Sequence, residues 1–451
     1  MNTVKYIIHN ALIINERKRF KGDILINGEI IEKIVTPPST GISAYTDYKV
    51  IDAGGKVLIP GVIDDQVHFR EPGLEYKADI HTESKAAIAG GVTSFMEMPN
   101  TKPPAVTIDE LERKYELASK KSLANYSFYM GTTNDNIEEM LKANPENVCG
   151  IKVFMGSSTG NLLVDSDEAL NNIFAKAQMI VAVHCEDDAI INKNYNHYKE
   201  KYGDKATAQL HPLIRSGEAC YSSSSKAVAL AKKHGTRLHL LHLSSAAELN
   251  LLQNDIPLEK KKITAEVCIH HLWFNDEDYN KKGNLIKWNP AIKSRNDMTE
   301  LRNALKNGKL DVVATDHAPH TIDEKQKPYF DAPSGGPMVQ HSLVSMLQLV
   351  KNGVFTLEET VEKMCHNPAT LFKISKRGFI REGYYADLVL VDLNDEFTVS
   401  KENILYKCGW SPMEGVHFNS KVVMTFVNGN IVYNNGIVNE NHKGKRLIFD
   451  R

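Results

Sequence analysis

The stretch "GVIDDQVHFREPG", residues 61–73, joins an apolar run to a cluster of polar side chains. The run is typical of the end of a buried strand, and the polar part brings Gln66, His68 and Arg70. Two histidines in a short motif at the end of a strand are a common metal-binding arrangement, but here the first of the two positions holds glutamine. The stretch therefore predicts either a metal site with one ligand replaced or a metal site that has been lost.

The chain around this stretch alternates between short apolar runs and amphipathic segments. Eight runs are strand candidates: "GVIDDQVHF", "VTSFMEMPN", "ANYSFYMGTT", "GIKVFMGSS", "MIVAVHCED", "RLHLLHLSS", "ITAEVCIHH" and "LDVVATDHAPH". Helical candidates such as "TIDELERKYELASKK" and "SSKAVALAKKHG" lie between them. Eight strand–helix units over roughly 320 residues predict an α/β fold, a (β/α)8 barrel over residues 55–382.

Both ends of the chain have a different pattern. They consist of short alternating runs with Asn-Gly turns, as in "GDILINGEIIEKIV" and "VVMTFVNGNIVYNNG", which is the local signal for β-hairpins. We expect residues 1–54 and 383–451 to form one small β-rich domain assembled from both termini.

The composition indicates an ordinary globular protein. The chain has 451 residues, of which 42% are hydrophobic and 24% charged, and a formal net charge of -2. This balance gives no electrostatic reason to expect nucleic acid or an anionic membrane as a partner. Six cysteines without a CxxC pair are typical of free thiols in a reducing compartment, and no apolar run reaches the ~20 residues of a membrane helix. We therefore expect a cytoplasmic location.

Ionisable side chains recur at the ends of the predicted strands. In a barrel these ends converge on one opening, where catalytic groups sit. The residues at these ends are Gln66, His68, Arg70, Glu97, Asn100, Lys152, His184, Glu186, His239, His242, His270, His271, Asp316, His317 and His320. His239 has the opposite parity to His242 and is interpreted as structural, whereas either of the adjacent His270 and His271 could reach the site. Lys152, inside an apolar strand, would lose hydration unless paired or chemically altered.

This joint pattern favours a metal centre. Imidazole and carboxylate ligands suit zinc, and a site with fewer than four protein ligands leaves a position for water. Zinc can bring the pKa of that water toward ~7. Asp316 could then accept the proton of the water and pass it to a leaving nitrogen. The residues alone predict a metal-dependent hydrolase on a barrel.

Several motifs resemble the amidohydrolase superfamily and, within it, the dihydroorotase family of the long-chain bacterial type. "PGVIDDQVHFREPG" is similar to the opening motif of the family, and "ATDHAPHTIDEK", residues 314–325, to its more specific closing motif. "MEMPNT", "HCED", "HLSS" and "GWSPMEG" follow in the family order, and the resemblance covers essentially the whole chain. It implies reversible ring opening of dihydroorotate to N-carbamoyl-aspartate, a step of pyrimidine synthesis.

The resemblance also implies roles for individual residues. One or two Zn²⁺ ions would be held by His68, Lys152, His184, His242 and Asp316, with Gln66 as a weak further ligand. Lys152 would be carboxylated to N6-carboxylysine, and Asp316 would also be the general base. The substrate would contact Arg70, Asn100, Asn289 and His320. Relatives are often homodimers, and the partner otherwise implied is a small molecule.

Three departures from the family pattern leave alternatives open. Gln66 replaces a histidine, Lys293 in "NPAIKS" replaces an arginine, and "SGGPMVQHS" replaces a Gly-x-Glu-Thr pattern. A glutamine amide oxygen is a weaker, harder ligand than imidazole, so the site could hold two metals, with one weakened, or only one. The alternatives to a dihydroorotase are a hydantoinase-like or allantoinase-like hydrolase and a non-catalytic partner protein.

Overall fold

A computed structural model of the protein describes residues 4–39, 45–156 and 162–451. Its strands are β1 Lys5–Asn15, β2 Lys18–Asn27, β3 Ile30–Val35, β4 Lys49–Asp52, β5 Val57–Pro60, β6 Val62–Val67, β7 Val92–Glu97, β8 Asn125–Phe128, β9 Met130–Gly131, β10 Ile151–Met155, β11 Val181–Cys185, β12 Leu238–Leu240, β13 Ile263–Cys268, β14 Val312–Ala314, β15 Leu388–Asp392, β16 Phe397–Thr398, β17 His417–Phe418, β18 Lys421–Val427, β19 Asn430–Asn434 and β20 Ile437–Val438.

The α-helices lie mostly between the strands of the middle region. They are α1 Ile80–Ala89, α2 Ile108–Lys121, α3 Ile137–Leu141, α4 Asp167–Lys176, α5 Asp188–Tyr202, α6 His211–Ile214, α7 Gly217–His234, α8 Ile269–Trp273, α9 Tyr279–Lys282, α10 Arg295–Lys306, α11 Ile322–Lys325, α12 Ser342–Lys351, α13 Leu357–Val361 and α14 Asn367–Phe372. A π-helical turn, Glu362–His366, joins the last two. None of the helices in these ranges is long and apolar enough to cross a membrane.

The parallel strands close into a barrel. β6, β7 and β8 pair in one sheet, and β9 to β14 pair in sequence order in another. β8 and β9 are successive segments of one barrel strand, separated by a single residue. A parallel bridge between Val67 and His317 joins the first strand to the last. The predicted (β/α)8 barrel is thereby confirmed, although the end of the fourth strand candidate, residues 157 and 158, lies outside the described residues.

The two ends of the chain meet in one sheet of nine strands. Its order is β20-β19-β18-β15-β5-β1-β2-β3, with β4 beside β1. The antiparallel pair of β5 and β15 connects the N-terminal strands to the C-terminal ones. Between β18 and β19, Asn428 and Gly429 have φ values of 48° and 73°, as a two-residue type I′ turn requires. The predicted β-rich region built from both termini is confirmed, and β5 belongs to its sheet although it lies outside the predicted limit at residue 54.

One end of the barrel is covered by the last residues of the chain. Leu447 and Phe449 share a buried apolar cluster with Phe372 of α14 and with strand residues such as Ile63. The guanidinium of Arg451 donates to the carbonyl oxygens of Phe372 and Cys149, at 2.9 and 2.6 Å. Since Cys149 lies two residues before β10, these contacts are at the amino ends of the strands and leave the opposite end for a site.

Candidate metal centre

A cavity of about 230 Å³ opens at the carboxyl ends of the barrel strands. It is lined by all ten residues that the sequence singled out for the site: Gln66, His68, Arg70, Asn100, Lys152, His184, His242, Asn289, Asp316 and His320. Phe154, Ala318 and residues 333–335 complete the wall. The ten side chains are thus brought together, and their individual roles stay predictions.

Three of these residues hold a backbone conformation that side chains disfavour. The φ values are 70° at Arg70, 40° at His242 and 44° at Asp316. Non-glycine residues with positive φ are uncommon and concentrate at functional sites, where the surrounding structure stabilises them. Each of the three follows a barrel strand, and the side chain of each lines the cavity.

His68 and Asp316 form the first donor pair. Nδ1 of His68 lies 2.7 Å from Oδ1 of Asn100, and a proton on Nδ1 completes this hydrogen bond. Nε2 of His68 then keeps its lone pair and lies 3.1 Å from Oδ1 of Asp316. Burial lowers the pKa of His68 from its usual value, which favours the neutral ring. Two electron-pair donors facing each other in this way are arranged to share a cation.

His184 and His242 form the second donor pair. Nε2 of His184 donates to Oε2 of Glu186 at 3.0 Å, so Nδ1 of His184 carries the lone pair and lies 2.9 Å from Nε2 of His242. The other ring nitrogen of His242, Nδ1, is buried and has no hydrogen-bond partner among the residues that the structure describes. Glu186 is also paired with Arg215. Burial would raise the pKa of Glu186, but Arg215 and His184 outweigh it and hold the pKa at about 2.

Lys152 is a cationic side chain in an apolar position. It is 1% exposed, and its Nζ lies over the ring of Phe154, 4.4 Å from the ring centre. Burial lowers the pKa of Lys152 to about 7, against the charges of Glu266 and Asp316, so the neutral amine is abundant at physiological pH. A neutral amine is nucleophilic and can take up carbon dioxide, which would turn the lysine into a carboxylate ligand.

The donor set fits a divalent transition metal. Two imidazole nitrogens and an imidazole–carboxylate pair are ligands that zinc prefers, and Glu186 and Asn100 fix the ring tautomers as outer-shell partners do. Gln66 is placed differently from a ligand: its Nε2 donates to Oδ1 of Asp316 at 3.3 Å, and its Oε1 accepts from Sγ of Cys268 at 3.8 Å. Metal ligation by Gln66 would require the opposite orientation of its amide group.

A second wall of the cavity is cationic because it carries the guanidinium of Arg70. Nε of Arg70 donates to the carbonyl oxygen of Pro319 at 3.0 Å, and Nη2 lies 3.2 Å from Nε2 of His320. Lys77 donates to Nδ1 of His320 at 2.8 Å, so Nε2 of His320 carries the proton and donates to the Ser334 carbonyl oxygen at 3.0 Å. Burial and the charge of Arg70 lower the pKa of His320 to about 3, which leaves the imidazole neutral.

Two further features define the cavity wall. Oδ1 of Asn289 is buried and finds no hydrogen-bond partner in the described part of the chain. Gly335 has a φ of 125°, and a Cβ at this position would lie 2.4 Å from the carbonyl oxygen of Ala318. The backbone of the segment "SGGPMVQHS" therefore approaches the strand end more closely than a side chain would allow.

Other candidates from the sequence lie outside the cavity. His239 is structural as interpreted, but it lies inside the barrel below the cavity, 2.9 Å from Oγ1 of Thr264, and not on the opposite face that its parity predicts. His242 follows the strand with a φ of 40°, so strict alternation does not extend to it. His270 stacks on the ring of Trp288, and Nε2 of His271 donates to the carbonyl oxygen of Pro290 at 3.2 Å, so both back the wall that carries Asn289. Lys293 donates to Oγ of Ser244 at 2.7 Å and is not among the residues lining the cavity.

Sequence reasoning missed the residues that support the site from loops. Arg215 follows α6, and Lys77 lies between β6 and α1, so neither stands at a strand end. A buried arginine or lysine in a loop between predicted elements is the signal that could have found them, because such a charge requires a partner.

Comparison with known protein families places the chain among amidohydrolases. A family model described as "Amidohydrolase family" matches residues 57–432. The dihydroorotase of Pyrococcus abyssi is 33% identical over 435 residues, which cover 95% of this chain and 97% of that protein. The dihydroorotase of Methanosphaera stadtmanae is 31% identical, with 91% of this chain and 92% of that protein covered.

Solved structures with the same fold include enzymes named for a substrate other than dihydroorotate. The L-hydantoinase (dihydropyrimidinase) of Arthrobacter aurescens superimposes with a TM-score of 0.90 at 27% identity. The superposition covers 97% of this chain and 98% of the hydantoinase.

Proposed function

Because this chain belongs to the amidohydrolase family and is a metal-dependent cyclic amidohydrolase, we propose that its substrate is dihydroorotate and its product N-carbamoyl-aspartate. In this reaction one water molecule is added across the ring amide. The bond between the carbonyl carbon and the ring nitrogen breaks, the carbon becomes a second carboxylate, and the nitrogen becomes the terminal amide of the product.

The assignment of dihydroorotate as the substrate depends on the cationic wall of the cavity. Arg70 is buried, and Nη1 of its guanidinium makes no hydrogen bond within the described parts of the chain. A guanidinium grips a carboxylate through paired hydrogen bonds of about 1.5–3 kcal/mol each. Dihydroorotate bears a carboxylate on its ring, whereas hydantoin does not. Asn100 and His320 stand beside Arg70, and Oδ1 of Asn289 offers an acceptor to a ring N–H group.

The metal would be held by the two donor pairs, His68 with Asp316 and His184 with His242. A carboxylated Lys152 would supply an oxygen to each pair, and zinc is the ion that this donor set favours. When bound, zinc supplies Lewis-acid polarisation of the amide carbonyl and a more acidic water molecule.

Asp316 is suited to move the proton. Its Oδ1 lies at the cavity floor between Gln66 and His68, and its main-chain oxygen accepts from Nε1 of Trp288 at 3.1 Å, which fixes the backbone. We expect its carboxylate to accept a proton from water and to deliver it to the leaving ring nitrogen. Arg70 and Asn289 hold the ring so that this nitrogen faces Asp316.

The substitution Arg70→Met tests the proposal. We expect it to raise the KM for dihydroorotate by roughly tenfold to a hundredfold, because one charge-assisted contact of about 1.5–3 kcal/mol is lost. Turnover is measured by ring opening of dihydroorotate, with hydantoin and dihydrouracil as substrates that lack the carboxylate. An unchanged KM for dihydroorotate in the variant would place the carboxylate elsewhere.

A hydantoinase-like activity is the second candidate. It is favoured by the superposition on the hydantoinase of A. aurescens and by the Phe154 ring in the cavity wall, which suits a neutral ring substrate. The same assay separates the two functions, because a wild-type chain that opens hydantoin faster than dihydroorotate would reverse the assignment.

The remaining sequence-based predictions belong to the same proposal. They are a homodimeric state, a small-molecule substrate as the partner instead of nucleic acid or membrane, and a cytoplasmic location. Light scattering of the purified chain measures the first.

A further inference from the structure

A second group of metal-ligand side chains lies inside the barrel below the cavity. Asp65 of β6, His239 of β12 and Glu266 of β13 are all 0% exposed. Their ligand atoms lie within 4.8 Å of one another. None of the three is among the residues that line the cavity, and Glu266 accepts the backbone N–H of His242 at 3.0 Å.

The hydrogen bonds of His239 identify the nitrogen that faces the carboxylates. Oγ1 of Thr264 donates to the carbonyl oxygen of Leu238 at 3.1 Å, so it accepts from Nδ1 of His239 at 2.9 Å. Nδ1 therefore carries a proton. Nε2 points between the carboxylates of Asp65 and Glu266 and can bear either a second proton or a lone pair.

The cluster has little positive charge in direct contact, and Lys152 acts on Glu266 only from beyond ion-pair distance. Within the described ranges, His239 is the only basic side chain within 4.0 Å of either carboxylate. Both oxygens of Asp65 are buried, and among the described residues they have no hydrogen-bond partner apart from the 3.3 Å approach of His239 to Oδ2. A buried carboxylate without a partner is costly, so two of them around one imidazole need either bound protons or a shared cation.

The distances match a metal better than a proton. Nε2 of His239 is 3.3 Å from Oδ2 of Asp65 and 3.4 Å from Oε2 of Glu266. Charge-assisted N–H···O hydrogen bonds are shorter, at about 2.7–2.9 Å. Two ligand atoms on a tetrahedral zinc ion, each bonded at about 2.0–2.1 Å, lie roughly 3.3–3.4 Å apart.

We propose that Asp65, His239 and Glu266 bind a divalent cation, zinc by their donor types, as a structural site distinct from the catalytic centre. The ion would connect the first, sixth and seventh strands of the barrel through its interior. Because the three ligands are fully buried, we expect the ion to enter during folding and to resist chelators that remove metal from the open cavity. The proposal does not depend on the identity of the substrate.

Zinc-edge anomalous diffraction from crystals of the wild-type chain tests the site directly. We expect a peak about 2.0–2.2 Å from Nε2 of His239 and from one oxygen of each carboxylate. Metal analysis of the zinc-supplemented chain gives a second measurement. Asp65→Asn should lose one equivalent of zinc per chain relative to the wild type. Asp311→Asn, the matched control, changes a buried carboxylate paired with Lys261 at 2.7 Å and should lose none.

Two results would overturn the proposal. One is an anomalous map without a peak among the three side chains, which would make Nε2 of His239 a protonated partner of both carboxylates. The other is equal zinc content in the wild type and a folded Asp65→Asn variant. If that variant does not fold, the map of the wild type decides alone. Turnover of dihydroorotate is measured separately, so a failure of the proposed function would leave this result unaffected.

Discussion

Three consecutive buried polar residues of β6 serve three different partners. Asp64 accepts from Oγ1 of Thr315 at 2.6 Å, Asp65 faces His239, and Gln66 donates to Asp316. The pairing register between β6 and β7 shifts in this segment, which frees the side chains from strict alternation. Gln66 therefore contacts the cavity, whereas the adjacent Asp65 belongs to the cluster below it. We expect a substitution at one of these two positions to change a different set of contacts from a substitution at the other.

Gln66→His tests how far the glutamine weakens the metal centre. An imidazole nitrogen would face Asp316 where Gln66 now presents an amide N–H group, so we expect zinc to be held roughly tenfold more tightly. Competition with a chelator measures the affinity. Gln66→Ala is the control and should match the wild type, because the amide as placed is not a ligand. A large loss of zinc in the alanine variant would instead make Gln66 a ligand.

The lowered pKa of Lys152 predicts a pH dependence of metal loading. Only the neutral amine reacts with carbon dioxide, and its pKa is about 7, so the fraction of neutral amine falls about tenfold for each pH unit below this value. We expect the rate of reconstitution of the metal-free chain to fall in the same proportion between pH 7 and pH 5, and to level off above pH 8.

This rate is measured as recovery of turnover at a constant concentration of dissolved carbon dioxide. Lys152→Glu supplies a permanent carboxylate and should show no comparable slope. A slope of equal size in both proteins would assign the pH dependence to another group.

At the scale of the elements, the barrel strands could be predicted and the loops could not. The apolar runs predicted the order of all eight strands, and the ends of parallel barrel strands converge whatever their separation in sequence. Nine of the residues expected at these ends line one cavity, and Asn289, which only the family resemblance implied, lines it as well. The contact of Lys77 with His320 and that of Arg215 with Glu186 depend on loop paths. Single-residue spacing does not specify such paths. The interruption between β8 and β9 was not predicted either, because both segments lie within one continuous apolar run, "ANYSFYMGTT".

Gly335→Ala tests the close approach of a loop to a strand end. The added Cβ would overlap the Ala318 carbonyl, and alanine is strained at a φ of 125°, so we expect a loss of stability of about 1–3 kcal/mol. We also expect turnover to fall at least tenfold or so, because the wall that holds His320 moves. Gly353→Ala is the control, with a φ of 73° and no atom of residues 4–39, 45–156 or 162–451 within 4 Å of the added carbon. Equal turnover in the two variants would contradict the role of Gly335.

At the scale of the whole molecule, both ends of the chain complete structures that begin elsewhere. Hairpin signals at the two termini predicted a shared sheet, because one short hairpin alone cannot form a stable layer. The return of residues 446–451 to the barrel was not predicted. "RLIFDR" carries no periodic pattern, and only the apolar end of the barrel explains why Leu447 and Phe449 are buried there.

Phe449→Ala tests this closure of the barrel. Phe449 is 2% exposed, and removal of a buried phenyl ring costs about 3–5 kcal/mol of unfolding free energy. Its neighbour Ile448 is 49% exposed, so Ile448→Ala should change the free energy by less than about 0.5 kcal/mol. Urea unfolding of both variants measures the difference. Similar values for the two would show that the C-terminal residues contribute no packing to the barrel.

The pairing of β5 with β15 also has a consequence for synthesis on the ribosome. Pro60 pairs with Leu388, so the partner of β5 emerges from the exit tunnel after a delay of tens of seconds at about 5–20 residues per second. During that interval the nascent chain exposes an unpaired strand edge, which is a site for misassociation with other chains. We expect chaperones that shield nascent polypeptides to increase the yield of this protein more than that of a barrel whose strands pair in the order of translation.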